Sequence, residues 1–96
     1  MALQVVLFRA RKGESHKFAR AMEQALPILR AAEGYRDHRF APGIDEPDAH
    51  VLLVWWRAVD DHVIGFRQSA RYGDWRALLD GHIYGEPYVR HFSLPA

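Results

Sequence analysis

The chain has no cysteine, which excludes disulfides, thiolate nucleophiles and cysteine-ligated zinc or iron–sulfur centres together. Asparagine and threonine are missing too, so the polar chemistry falls to histidine, arginine, tyrosine, tryptophan, glutamine, serine and the acids. No apolar run approaches the roughly 18 residues of a membrane span. The first residues lack the basic-then-apolar pattern of a signal peptide, and a cytoplasmic protein with no membrane partner is expected. The 13 lysines and arginines are scattered among 12 acids with no basic run. That leaves no electrostatic footprint for a phosphate backbone, so no nucleic-acid partner is expected. No H-E-x-x-H, paired-histidine spacing or carboxylate cluster calls for a metal.

What is present suits an ordinary globular domain. Hydrophobic residues are 49% and charged residues 26% of 96, and a chain of this length makes one domain, residues 1–96, with limited spare stability. The most telling stretch runs from His50 to Trp56, H-V-L-L-V-W-W. A strand with one wet face alternates apolar and polar residues, whereas six consecutive apolar residues require a cover on both faces. Leu3 to Ala10 is nearly as continuous and carries the same requirement.

Between these strands, Phe18, Met22, Ala25, Leu29 and Ala32 fall on one helical stripe after Glu14. Pro27 lies inside that pattern and is expected to kink or split the helix near residues 24–26, and Gly34 to end it as a left-handed cap. Tyr35 to Ala41 reads as a second strand, followed by an acidic, turn-rich loop from Pro42 to Asp48. After the His50 strand, Asp60 or Asp61 can cap a helix carrying Val63, Phe66 and Ala70. Ser69 can cap a further segment with Tyr72, Trp75 and Leu79 on one face. Pro87 to Leu94 is a last strand.

The order is β-α-β-β-α-β, an α+β fold of the ferredoxin-like kind with two helices over one face of a four-stranded antiparallel sheet. The other face has no cover from this chain. A patch that apolar is rare on a monomer, so a sheet-to-sheet homodimer is the expected completion.

The Lys12-Gly13 turn, Glu33-Gly34-Tyr35 entering strand two, the tryptophan ending strand three and Phe66-x-x-Ser69-x-x-Tyr72-x-x-Trp75 together resemble the antibiotic-biosynthesis-monooxygenase-like family. The resemblance covers essentially the whole chain. It implies a protomer whose sheet closes with a second copy into a dimeric α/β barrel. It also implies one of several activities: cofactor-independent oxygenation of aromatic polyketides, haem degradation, isomerisation of small sugar phosphates, or an unassigned role. The haem-degrading branch resembles an Asn, Trp and His triad, whose positions fall here on Val6, Phe66 and Arg76; that branch is disfavoured. The polyketide branch commonly uses an Asn with a Trp/Tyr pair. Tyr72 and Trp75 match the aromatic positions, and the missing Asn passes its role to a histidine or arginine.

Phe66, Tyr72 and Trp75 are therefore the candidate walls of a pocket for a flat hydrophobic substrate, with core packing as the competing reading of the same stripe. Trp55 and Trp56 point to opposite sheet faces, and Trp56 is taken as substrate-facing. Imidazole is the natural base near neutral pH. His38 and His91, on strands that aim side chains inward, are the candidate catalytic bases, with His82 near a pocket mouth and His16, His50 and His62 expected in water at element ends. Arg9 either holds an anionic substrate or pairs with an acid across the sheet. The reading these residues favour is a homodimeric monooxygenase acting on a small aromatic, quinol- or polyketide-like molecule, with no bound cofactor. An isomerase or lyase of a small metabolite, and a non-catalytic ligand-binding stress-response dimer, are the alternatives.

Overall fold

A computed structural model describes residues 1–95. Four strands, β1 (Ala2–Arg9), β2 (Tyr35–Pro42), β3 (Ala49–Trp56) and β4 (Tyr88–Ser93), form one sheet in the order β2-β3-β1-β4, every neighbouring pair antiparallel. The long helix α1 (Ser15–Arg30) joins β1 to β2. The return from β3 to β4 passes through a single π-helical turn (Asp61–Phe66), the helix α2 (Ala70–Leu79) and a short 3-10 turn (Asp80–His82). This is the βαββαβ ferredoxin-like protomer, with both main helices on one face.

Burial alternates strictly along the two central strands. Gln4, Val6 and Phe8 of β1 and His50, Leu52, Val54 and Trp56 of β3 are buried beneath the helices. They meet Phe18, Ala21, Met22, Ala25 and Leu29 from α1, and Phe66, Trp75 and Leu79 from the second crossover. The other parity faces away from the helices, and the register lines it up in rows: Trp55, Leu3 and Phe92; Leu53, Val5 and Arg90; Val51, Leu7 and Tyr88. Leu7, Tyr88 and Phe92 are each about half exposed, at 50%, 50% and 52%. The two-sided apolar character of β1 and β3 therefore has one cover inside this chain and one face left open.

Several local expectations change. Pro27 does not split α1, which runs unbroken from Ser15 to Arg30. A proline removes only one intrahelical donor, and Ala25, Leu26 and Leu29 on either side of it are buried against the sheet. The helix ends at Ala31 with a right-handed cap, so Gly34, at φ +84°, serves the turn into β2 and not the helix terminus. Ser69 stands at the N-terminus of α2 without capping it, because its hydroxyl donates to the Phe66 carbonyl. Asp61 likewise reaches backward: its carboxylate accepts from the Ala58 N–H and from Arg57 at 2.7 Å.

Gly34 sits against that carboxylate, and a Cβ built on it would overlap the Asp61 side chain. A left-handed backbone and a steric overlap thus coincide at one position. Gly34→Ala is expected to lower the unfolding free energy by about 1–3 kcal/mol, read as a lower urea midpoint at unchanged m-value. An unchanged midpoint would show that this turn does not constrain the start of the second crossover.

Candidate active site

Between the sheet and the second crossover lies a cavity of about 70 Å³. Its floor is Gln4, Val6 and Phe8 of β1 with Leu52 and Val54 of β3. Its wall is His62 and Phe66 from the π-turn and Tyr72, Trp75 and Leu79 from α2, while the charged side chains Arg67, Arg76, Asp80 and Glu86 rim it. The three aromatic residues form an edge-on set: Phe66 meets Tyr72 at 5.7 Å and Trp75 at 5.8 Å between ring centroids, with interplanar angles of 85° and 79°. The expectation that Phe66, Tyr72 and Trp75 share one side is met, and the space between them and the sheet is not filled by core.

Beside the candidate Tyr72, two polar residues that were not candidates, Gln4 and His62, line the cavity. Trp56 has no exposed surface, so its indole N–H must be bonded internally. It donates to Gln4 Oε1 at 2.8 Å. That contact fixes the amide orientation, since an indole nitrogen only donates, and leaves the Gln4 amide N–H₂ as the available donor on the cavity floor. Trp56 lies behind the wall, stacked obliquely on His62 and Phe66 at 5.5 and 6.0 Å. Gln4 was legible in principle, as the only polar residue at the inward parity of β1.

His62 was expected in water and is 4% exposed. The π-turn is the reason. The His62 carbonyl accepts from the Arg67 N–H at 2.9 Å, an i to i+5 bond that widens the helix and brings the imidazole in beside Phe66. Its Nδ1 lies 2.8 Å from Nε2 of His91, so the ring nitrogen left free at the cavity is Nε2. Burial, then the neighbouring His91 and Arg67, push the His62 pKa down to about 4, and burial with Arg67 lowers that of His91. Near neutral pH the pair is uncharged, with one proton shared between the facing nitrogens.

The other candidates lie elsewhere. His38 does face the helix side, but on the edge strand β2, where its Nδ1 is 2.6 Å from the Tyr35 hydroxyl and away from the cavity. His91 meets the cavity only through His62. Arg9 is on the open sheet face, paired with Glu46 at 2.7 Å. His50, also expected in water, is 3% exposed and bonded to Ser15 Oγ at 2.8 Å. That hydroxyl donates to the Pro47 carbonyl, so the imidazole Nε2–H is the donor to it. His82 turns to Glu14 at 3.6 Å. Arg76, at the rim, is held by Asp80 at 2.7 Å and donates to the Tyr72 hydroxyl at 3.1 Å. The positions aligned with the haem-degrading triad, Val6, Phe66 and Arg76, all line this cavity, and none of the three supplies the triad's chemistry.

A four-stranded antiparallel sheet under two helices, with an aromatic-walled cavity beneath the second, defines a small α+β protein of the ferredoxin-like kind. Residues 1–78 match the family described as antibiotic biosynthesis monooxygenase, and the chain belongs to that family. It is 34% identical over 93 residues to the uncharacterized protein YczJ of Bacillus subtilis, covering 97% of this chain and 98% of that one. The fold superimposes with a TM-score of 0.93 on a Bordetella bronchiseptica protein named as a candidate antibiotic biosynthesis monooxygenase, at 27% identity over 99% of this chain and 97% of that one. At 14% identity it shares the fold of a mutant of SnoaB, a cofactor-independent oxygenase of Streptomyces nogalater, with a TM-score of 0.81 over 99% and 93% of the two chains. Among the described residues no helix is long and apolar enough to cross a membrane.

The burial of neutral His62 has a consequence for stability. Its folded-state pKa of about 4 lies below the unfolded value of 6.5. The unfolded chain therefore binds the extra proton between these values, and stability rises with pH across that window. The unfolding free energy is expected to be about 2 kcal/mol lower at pH 5 than at pH 7.5 on account of this residue. Urea titrations at the two pH values check this against His62→Gln, in which the difference should shrink; an equal difference in both proteins would remove His62 as its source.

Proposed function

We propose that this protein is a cofactor-independent monooxygenase whose substrate is an electron-rich hydroxyaromatic molecule, bound in the cavity beneath α2. The observation that carries the reading is a buried, neutral imidazole facing an aromatic-walled space with one amide donor opposite. Family membership supports oxygenation, and SnoaB, a cofactor-independent oxygenase, is a precedent for this fold.

The chemistry divides among the chain's own groups. His62 Nε2, unprotonated at working pH and facing the cavity, is the group placed to take the phenolic proton. The Gln4 amide N–H₂ donates to the phenolate oxygen, stabilising it in a water-poor site. A ring carbon of the phenolate then gives two electrons to dioxygen and forms a C–O bond. The peroxide so formed takes the proton back, the O–O bond breaks, and the ring C–H proton leaves with the hydroxide as water. The sum is one phenol and one O₂ giving one quinone and one water. Phe66, Tyr72 and Trp75 hold the ring flat and keep bulk water away.

The cavity volume restricts the substrate. At about 70 Å³ it is less than half the roughly 150 Å³ of an apolar cavity that accepts benzene. A fused polyketide does not enter it closed. A single ring enters if the rim yields, and the exposed Glu86, whose contact to Arg76 is 3.8 Å, is the rim group that gives way most cheaply. We therefore favour single-ring quinols and place His38, His91 and Arg9 outside the first contact with substrate. The functional unit is a homodimer closed through the open sheet face. The row of Leu53 and Val5 lies at its centre.

Turnover is tested by oxygen consumption with a panel of hydroquinones and anthrones. Single-ring quinols should be oxidised faster than buffer and faster than anthrones, and His62→Ala should lose about 100-fold or more in kcat. Substrate turnover that persists without oxygen would favour the isomerase or lyase reading. Ligand-induced stabilisation without turnover would favour the binding reading. For the assembly, Leu53→Lys should convert a dimer into a monomer by sedimentation at micromolar concentration, and a wild-type monomer would refute the dimer.

A further inference from the structure

His91 is the one candidate base that touches the site without lining the cavity. Its ring sits 2.8 Å from His62 on one side. On the other it lines a second, separate recess with Met1, Ala2, Arg57, Ala58, Val59, Phe92 and Ser93, at the end of the sheet where β1 and β4 meet. The two recesses share no lining residue, and the histidine pair spans the partition between them. His62 is sealed, at 4% exposure, whereas His91 is only partly buried. With a substrate seated in the cavity, His62 Nε2 faces that substrate and not solvent, so its proton has no direct way out on that side. Each imidazole has two nitrogens and can accept at one while releasing from the other, so a facing pair conducts a proton without either ring moving far.

We infer that His62 and His91 form a proton relay between the substrate cavity and the outer recess, with His91 as the residue that exchanges the proton with solvent. The inference rests on the oxygenase reading for the identity of the acid, and on geometry for the route. In the resting pair His62 Nδ1–H donates to His91 Nε2. When His62 Nε2 accepts the substrate proton, its Nδ1 proton passes to His91 Nε2, and the proton on His91 Nδ1 leaves to water in the recess. Return of a proton to the peroxide runs the sequence backward and restores both tautomers. The charged groups facing the pair are Arg67 from the turn after the π-helix, which acts on both rings. Arg57 and the Met1 terminus stand at the outer recess. Arg57 is neutralised by Asp61 at 2.7 Å, and Arg67 disfavours a long-lived imidazolium on either ring, so the proton is passed on and not stored. His91 in this role is a positioning and relay residue; it does not touch substrate.

Two variants separate relay from support. His91→Gln keeps a hydrogen-bonding partner for His62 but cannot accept and release a proton, and His91→Ala opens a gap that a small base can enter from the recess. Both should lower kcat about tenfold, a fraction of the usual effect of a general base, with KM within about twofold. Added imidazole should restore His91→Ala and leave His62→Ala unchanged. Wild-type kcat in His91→Gln, or a slow His91→Ala that imidazole does not rescue, would overturn the relay. Because the substrate reading can fail on its own, ¹⁵N imidazole spectra of the substrate-free protein provide the independent check. The pair should take up a single proton on acidification, with both rings shifting together, and His91→Gln should abolish the shared step. Two independent titrations would overturn the relay whatever the substrate; a shared one with no quinol turnover would leave the relay standing and remove the oxygenase reading.

Discussion

A tryptophan with no exposed surface must find an acceptor for its indole N–H inside the protein, and much of this structure follows from where Trp56 finds it. Leaving that donor unpaired would cost about 1–3 kcal/mol, a large share of the stability of so small a domain. The acceptor is Gln4 Oε1, directly across the sheet interior from the second crossover. The bond ties the end of β3 to the start of β1 and obliges β1 to carry a buried amide. The same indole stacks against His62 and Phe66, so one side chain sets the depth of the π-turn and the polarity of the cavity floor together.

The fold and the site were legible to different degrees because they are written in different periodicities. The apolar run of β3 and its near copy in β1 stated that both faces needed covering, and the stripe from Phe18 to Leu29 identified one cover. The parity of β3 was open in the sequence, since both Val51-Leu53-Trp55 and Leu52-Val54-Trp56 are apolar. The helices settle it in favour of the second set. Phe66, Tyr72 and Trp75 were legible because they are spaced as a helix face, and the break between the π-turn and α2 happens to preserve that face.

His62 was not legible, and the reason is the same irregularity. A pattern read at 3.6 residues per turn puts it at a helix entrance in water. The i to i+5 bond from His62 to Arg67 widens the turn and swings the ring inward. His38 and His91 were both placed correctly on the inward face, but a cavity occupies one end of that face and not its whole width, and strand order decides which end. His38 belongs to the outer strand β2, and its partner is Tyr35. Arg9 resolves by parity alone: it shares the outward side with Leu3, Val5 and Leu7, and Glu46 from the β2–β3 loop neutralises it.

The decisive question is whether the small space beneath α2 receives a ligand. Chemical-shift mapping with an oxygen-stable single-ring phenol addresses this without requiring turnover. Saturable shifts are expected at His62, Phe66, Tyr72, Trp75 and the Gln4 side-chain amide, with the open sheet face unaffected. Shifts confined to Leu7, Leu53, Trp55, Tyr88 and Phe92, with none at His62, would contradict this and move the binding surface to the other side of the sheet.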